Sequence, residues 1–142
     1  INIFAENKKI YNTLKNMIEL GLGYLKLGQM SMNLSGGEAQ RIKLAKALSS
    51  SYRGGKLYVL DEPTSGLNDI DIDKFINVLH SLQQGQDTII IIEHNIEFIS
   101  RVADYIIDFG LKSGKDGGKI VASGYPNEVF NNKKSSLYNL DK

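Results

Sequence analysis

Two short aliphatic runs on either side of one amphipathic stretch constrain the fold of this chain more than any other feature. Thr88-Ile89-Ile90-Ile91-Ile92 is β-branched and too short for a helix, and residues 56–60 are short and apolar, so both read as buried strands. Between them Ile72, Phe75, Ile76, Leu79 and Leu82 recur at helical spacing. Asp69, Asp71 and Asp73 lie near the start of that helix, where its dipole favours acids, and Gly85 ends it. Strand, helix, strand in this order implies an α/β fold with a mostly parallel sheet flanked by helices.

The flanking segments fill in the rest. Ile10, Leu14, Met17 and Ile18 predict a helix over residues 6–20, stopped by Gly21 and Gly23. An irregular joint over 24–33 precedes a second helix marked by Ala39, Ile42, Ala45 and Leu48, which runs to about Ser50 and a polar turn over 51–55. Asn95 is placed to cap a short helix holding Ile96, Ile99 and Val102. Residues 105–109 and 119–122 read as strands joined by the Gly- and Lys-rich residues 110–118, a C-terminal β-hairpin. Pro126 suits the first turn of a helix through about Asn131, and the polar residues 132–142 are expected to fray.

At 142 residues the chain is long enough for one domain and not two. It has no cysteine, which excludes disulfides, thiol catalysis and cysteine-ligated zinc within it. Its longest aliphatic run, Ile89 to Ile92, falls far short of the roughly 20 residues of a membrane span. No secretory pattern is visible, and the first residue is Ile1 rather than methionine, as expected of a piece cut from a longer polypeptide. The net charge of +1 argues against a dedicated nucleic-acid domain. Lys8-Lys9, Lys112, Lys115, Lys119 and Lys133-Lys134 are scattered and read as a solvated face. The tyrosines show no interleaved stacking pattern; Met30 and Met32 read as packing residues and His80 as surface.

Three segments carry chemistry. Leu57-Tyr58-Val59-Leu60-Asp61-Glu62 ends an apolar strand in two carboxylates at the sheet edge where α/β folds bind ligands. In nucleotide hydrolases the first such Asp holds Mg²⁺ and a neighbouring carboxylate orients the attacking water. Read alone, the pair fits equally a solvated turn before Pro63. Leu34-Ser35-Gly36-Gly37-Glu38-Ala39-Gln40-Arg41 puts several backbone N–H groups at the positive end of a helix dipole, an anion site or a plain N-cap. Ile91-Ile92-Glu93-His94-Asn95 places a histidine at the exit of a strand.

Taken in order, Leu34 to Glu38, then Asp61-Glu62-Pro63-Thr64-Ser65-Gly66-Leu67-Asn68, then Glu93-His94 resemble the signature motif, the Walker B strand with its D-loop, and the switch histidine of an ABC-type ATPase. Gly21-Leu22-Gly23-Tyr24-Leu25-Lys26-Leu27-Gly28-Gln29, Glu38-Ala39-Gln40-Arg41-Ile42-Lys43-Leu44-Ala45, Ala103-Asp104-Tyr105-Ile106-Ile107-Asp108 and the closing residues 117–129 are similar to the UvrA family of bacterial nucleotide-excision repair. The resemblance covers residues 10–130 and corresponds to the C-terminal end of that family's chains.

It implies a partial ABC-type P-loop ATPase domain, with residues 1–33 as lead-in helix and joint, 34–131 as motif core and 132–142 as tail of a single lobe. It implies that Ser35, Gly36, Gly37, Glu38 and Gln40 serve ATP in trans, and that Asp61 holds Mg²⁺. Glu62 and His94 would be catalytic, and Ser65, Gly66 and Asn68 the D-loop. Asn68 departs from the histidine or aspartate usual there. No segment fits the Walker A pattern G-x-x-x-x-G-K-[ST], so the chain alone is expected to be inactive as an ATPase. The implied partners are the N-terminal part of the same ATPase, a second copy in a dimer, damaged duplex DNA and a UvrB-like repair protein, with no membrane and a cytoplasmic location. The alternatives are a UvrA paralogue for drug self-resistance, or a non-catalytic lobe that completes an ATP site in trans.

Overall fold

In the computed structural model, residues 1–49, 55–83, 87–110 and 118–139 are described. The expected helix stop at Gly85, most of the turn over 51–55 and most of the loop over 110–118 lie outside them. The chain divides into two compact units, residues 1–93 and 94–142.

After a 3₁₀ turn at Asn2–Phe4, the first unit continues with α1 (Lys8–Glu19), capped by the Asn7 side chain, which accepts from the Ile10 N–H at 3.2 Å. Gly21 ends the helical run with φ +73°, a conformation that favours glycine, and a Cβ there would also press on the Leu67 side chain at 2.7 Å. α2 (Gly36–Leu48) packs on α1, where Asn16 Nδ2 and Thr13 Oγ1 each donate to Ser49 Oγ at 3.1 Å. β1 (Leu57–Asp61) and β2 (Thr88–Ile92) pair in parallel with Leu57 opposite Thr88 and Asp61 opposite Ile92; α3 (Asp69–Gln83) connects them. The Asp87 carboxylate accepts from the Lys56 N–H at 2.9 Å at the foot of the pair. Leu20, Leu22, Leu44, Phe75, Ile76 and Leu79 are buried in this unit.

The strands depart from expectation in one respect. Tyr58 and Leu60 are buried, but Leu57, Val59, Ile90 and Ile92 lie on the opposite face and are 49–63% exposed. A parallel sheet needs cover on both faces, and among the described residues only one face receives it. Met30 and Met32 are likewise exposed rather than packed, since the joint that carries them runs over the surface. His80 is at the surface, 3.0 Å from Gln83 Oε1.

In the second unit Asn95 caps α4 (Ile96–Val102), accepting from the Phe98 N–H at 3.1 Å. β3 (Ile106–Phe109) and β4 (Ile120–Gly124) form the expected antiparallel pair, and α5 (Pro126–Phe130) packs on both. Ile106, Ala122, Val129 and Phe130 make its core, with Ile96, Ile99, Ala103 and Leu137 against them. The tail does not fray through Asn139. The buried Asp108 carboxylate accepts from Ser135 Oγ at 2.7 Å, the Ser136 N–H at 2.8 Å and Ser136 Oγ at 2.9 Å. That charge-assisted set outweighs the polarity of the segment, and it lets Leu137 reach the core.

Candidate functional site

The start of α2 is built from a reciprocal cap. Ser35 Oγ accepts from the Glu38 N–H at 3.2 Å, and Glu38 Oε2 accepts from the Ser35 N–H at 2.7 Å. Glu38 is also held by the Tyr24 hydroxyl, which donates to its Oε1. That bond, followed by the Ser35 N–H, holds the Glu38 carboxyl below its ordinary pKa and raises that of Tyr24. Gly36 is exposed with open space where a Cβ would sit. Gly37 is buried, and a Cβ would lie 3.1 Å from Arg41 Nη1 and 3.2 Å from the Ser65 carbonyl. A side chain at this position would have to push Arg41 and the turn after β1 back by a few tenths of an ångström.

Arg41 secures that approach. Only 1% exposed, it donates from Nη1 to the Pro63 carbonyl at 2.7 Å and the Ser65 carbonyl at 3.1 Å. Burial pulls the guanidinium below its ordinary pKa, opposed by the nearby Tyr24 and Glu38. Gln40 Oε1 accepts from the Asp61 N–H at 3.0 Å, a second tie between α2 and the end of β1.

Asp61 is the last residue of β1, and Glu62 follows with φ +45° while its N–H donates to the Ile92 carbonyl at 2.8 Å. A left-handed residue other than glycine costs on the order of 1–3 kcal/mol and persists only when its surroundings hold it. Both carboxylate residues are exposed. The turn continues through the buried Pro63 and Thr64 to Gly66 at φ +76°. Thr64 donates twice to Glu93 Oε2, from its hydroxyl at 2.6 Å and its N–H at 3.3 Å. Asn68 starts α3: its Oδ1 accepts from the Asp71 N–H at 2.9 Å and its Nδ2 donates to Asp71 Oδ2 at 3.0 Å.

The first unit thus brings together the serine-glycine helix start, Gln40, the two carboxylate residues and the turn over 62–68. His94 belongs to the second unit, exposed and two residues beyond the end of β2. Sequence reasoning gave no role to Arg41, Thr64, Glu93 or Tyr24. An arginine three residues past Glu38 on the second helix was the available signal for the first, since a buried guanidinium needs carbonyl partners.

No protein-family model matches the chain. It is 53% identical over 136 residues to UvrABC system protein A of Helicobacter pylori, a match covering 95% of this chain and 14% of that protein. It is 46% identical over 135 residues to UvrABC system protein A of Clostridium perfringens, again 95% and 14%. The crystal structure of UvrA2 from Deinococcus radiodurans superimposes with a TM-score of 0.87 and 43% identity, over 98% of this chain and 17% of that one. An ATP-binding cassette of an ABC transporter, MJ1267, follows with a TM-score of 0.54 and 25% identity, over 86% and 45%. The chain therefore spans 14% of the length of these curated relatives, and across that stretch, in sequence and in fold, it belongs to the UvrA family.

Proposed function

We propose that this chain is the C-terminal ATP-binding-cassette segment of a UvrA-type excinuclease subunit, acting in ATP-dependent recognition of damaged DNA in nucleotide-excision repair. The observation that carries this reading is the double tie from α2 to the carboxylate turn, Arg41 on Pro63 and Ser65 and Gln40 on Asp61. It makes the anion-binding helix start and the two carboxylates one rigid surface. The exposed apolar face of Leu57, Val59, Ile90 and Ile92 supports the same reading, because a Walker A-bearing half of the domain would cover it.

In this reading Ser35 offers its hydroxyl, and Gly36 and Gly37 their N–H groups, to the γ-phosphate of an ATP held by the Walker A loop of the opposite half. Glu62 orients and polarises the attacking water. His94 contacts the γ-phosphate, and Ser65, Gly66 and Asn68 reach across the dimer as the D-loop. Glu38 and Gln40 support the surface through the cap and the Asp61 N–H.

Asp61 suits Mg²⁺ by its chemistry. Among the described residues no three His, Cys, Asp or Glu side chains gather as a metal cage. Mg²⁺ is usually bound by one or two carboxylates plus substrate phosphates and water, so the exposed Asp61 at a strand end fits it. When bound with ATP, the ion would neutralise charge on the phosphates.

The partners follow from the same reading: the remainder of the ATPase, a second copy, damaged duplex DNA and a UvrB-like protein. No helix among the described residues is long and apolar enough to cross a membrane. The cytoplasmic location belongs to the same UvrA-type reading. The curated relatives named UvrABC system protein A favour repair over self-resistance or a non-catalytic lobe.

The test is ATP turnover by the intact protein with Glu62→Gln alongside. Loss of a general base typically lowers turnover by about 100-fold or more, which is the expected result. Full turnover in Glu62→Gln would overturn the assignment. The isolated 142-residue chain should bind Mg-ATP only weakly, and tight binding would show a nucleotide site that needs no Walker A partner.

A further inference from the structure

Glu62 sits in a left-handed conformation that residues with a side chain seldom adopt. Its turn is gripped from two directions. From α2, Arg41 holds the carbonyls of Pro63 and Ser65. From the end of β2, Glu93 Oε2 takes both the hydroxyl and the N–H of Thr64, at 2.6 and 3.3 Å. Thr64 is 8% exposed, so water does not readily replace these bonds. The 2.6 Å contact has the length of a charge-assisted O–H···O⁻ bond. The Glu62 N–H is itself fixed on the Ile92 carbonyl, one residue before Glu93. Backbone strain at a carboxylate survives only where neighbours over-determine it, and here β2 supplies half of that restraint.

We propose that Glu93 is a positioning residue for Glu62: by accepting twice from Thr64 it locks the turn after β1 to the end of β2 and so fixes where the Glu62 carboxylate points. This rests on the ATPase reading above. Glu93 touches neither nucleotide nor water in this role; it acts through Thr64.

The experiment compares Thr64→Val, Thr64→Ser and Glu93→Gln with wild type in the intact protein. Turnover, KM for ATP, affinity for ADP and melting temperature are measured for each. Thr64→Val keeps the shape of the side chain and removes the hydroxyl. It should lower kcat about tenfold with KM and ADP affinity within twofold, and Thr64→Ser should recover most of the loss. Glu93→Gln, which keeps an acceptor but not the charge, should fall between them. Equal turnover in Thr64→Val and wild type overturns the proposal. So does a loss expressed in KM, or one that Thr64→Ser fails to recover while the melting temperature holds. Should Thr64→Val not fold, a wild-type kcat in Glu93→Gln overturns it equally. Turnover that Glu62→Gln leaves at the wild-type level instead overturns the catalytic role of Glu62, on which this proposal rests.

Discussion

The starts of α2 and α5 use one device for opposite ends. In each, a glutamate at the third helical position reaches back to the N–H of the residue before the helix, Glu38 to Ser35 at 2.7 Å and Glu128 to Tyr125 at 2.9 Å. In α2 the first two helical residues are Gly36 and Gly37, which keep their N–H groups and add no side chain to shield them. In α5 the first is Pro126, which has no N–H to offer. Each region also includes one buried charged residue, Arg41 within α2 and Asp108 on β3. Arg41 holds the turn next to α2, and Asp108 holds the chain that follows α5. The glutamate half of the cap is common to both helices; the residues that follow it decide whether the first turn keeps its backbone N–H groups, as the proposed anion site requires, or loses one to proline.

That contrast can be broken at several points. The largest effect is expected from Arg41→Met, which leaves the Pro63 and Ser65 carbonyls without their buried donor and should cost about 3 kcal/mol. Chemical denaturation would read it, and an unchanged midpoint would mean that the turn stands without α2. Asp108→Ala should cost about 2 kcal/mol by releasing Ser135 and Ser136, with faster amide exchange over residues 132–139 as its local mark.

Exchanging the first helical residues sharpens the comparison further. Gly36→Pro places the α5 residue at the head of α2, where Ser35 is already extended with ψ 162° and no atom lies within 4 Å of the new Cβ. Stability should hold while ATP turnover of the intact protein falls about tenfold, roughly 1.4 kcal/mol of lost transition-state stabilisation. Wild-type turnover would show that the Gly36 N–H is not used. The reverse exchange, Pro126→Gly, should cost about 0.5–1 kcal/mol of stability through the freer unfolded chain and leave turnover alone.

The smallest effect is in acid. The carboxyl of Glu38 lies below its ordinary value of 4.5 in the fold, chiefly through the Tyr24 hydroxyl bond. Its stabilising contribution is therefore present above that value and fades as pH falls through the lowered one. A Tyr24→Phe variant should show a weaker dependence of melting temperature on pH below about 4.5, the Glu38 contribution fading nearer the ordinary value. Coincident profiles would mean that the Tyr24 bond adds nothing.

Much of this was open to inspection in the residues. The four isoleucines of β2, the periodic apolar residues of α3 and the capping residues Asn95 and Pro126 each announce their element through local sterics and hydrogen bonding. Ser35 with Glu38 three residues on is a cap legible in any sequence. What was illegible is long-range. Nothing in Asn132 to Asn139 says that Asp108, more than twenty residues earlier, will gather its serines. The open face of β1 and β2 and the exposed Met30 and Met32 escape for the same reason: apolar residues demand cover, and only coordinates show whether cover is present. Asn68, odd against the family's pattern, reads naturally once its side chain is seen capping Asp71 at the start of α3.

The sequence by itself determined the order of strands and helices, the serine-glycine helix start, the paired carboxylates after an apolar strand and the family to which these belong. Those depend on neighbours within a few residues, where backbone sterics and periodicity leave few choices. Only the tertiary structure decided that Arg41 enters the core to hold the carbonyls of Pro63 and Ser65, that Gln40 takes the Asp61 N–H, and that Glu93 holds Thr64. Each joins groups about twenty or more residues apart, and a buried polar atom takes its partner from whatever the packed fold brings within about 3 Å.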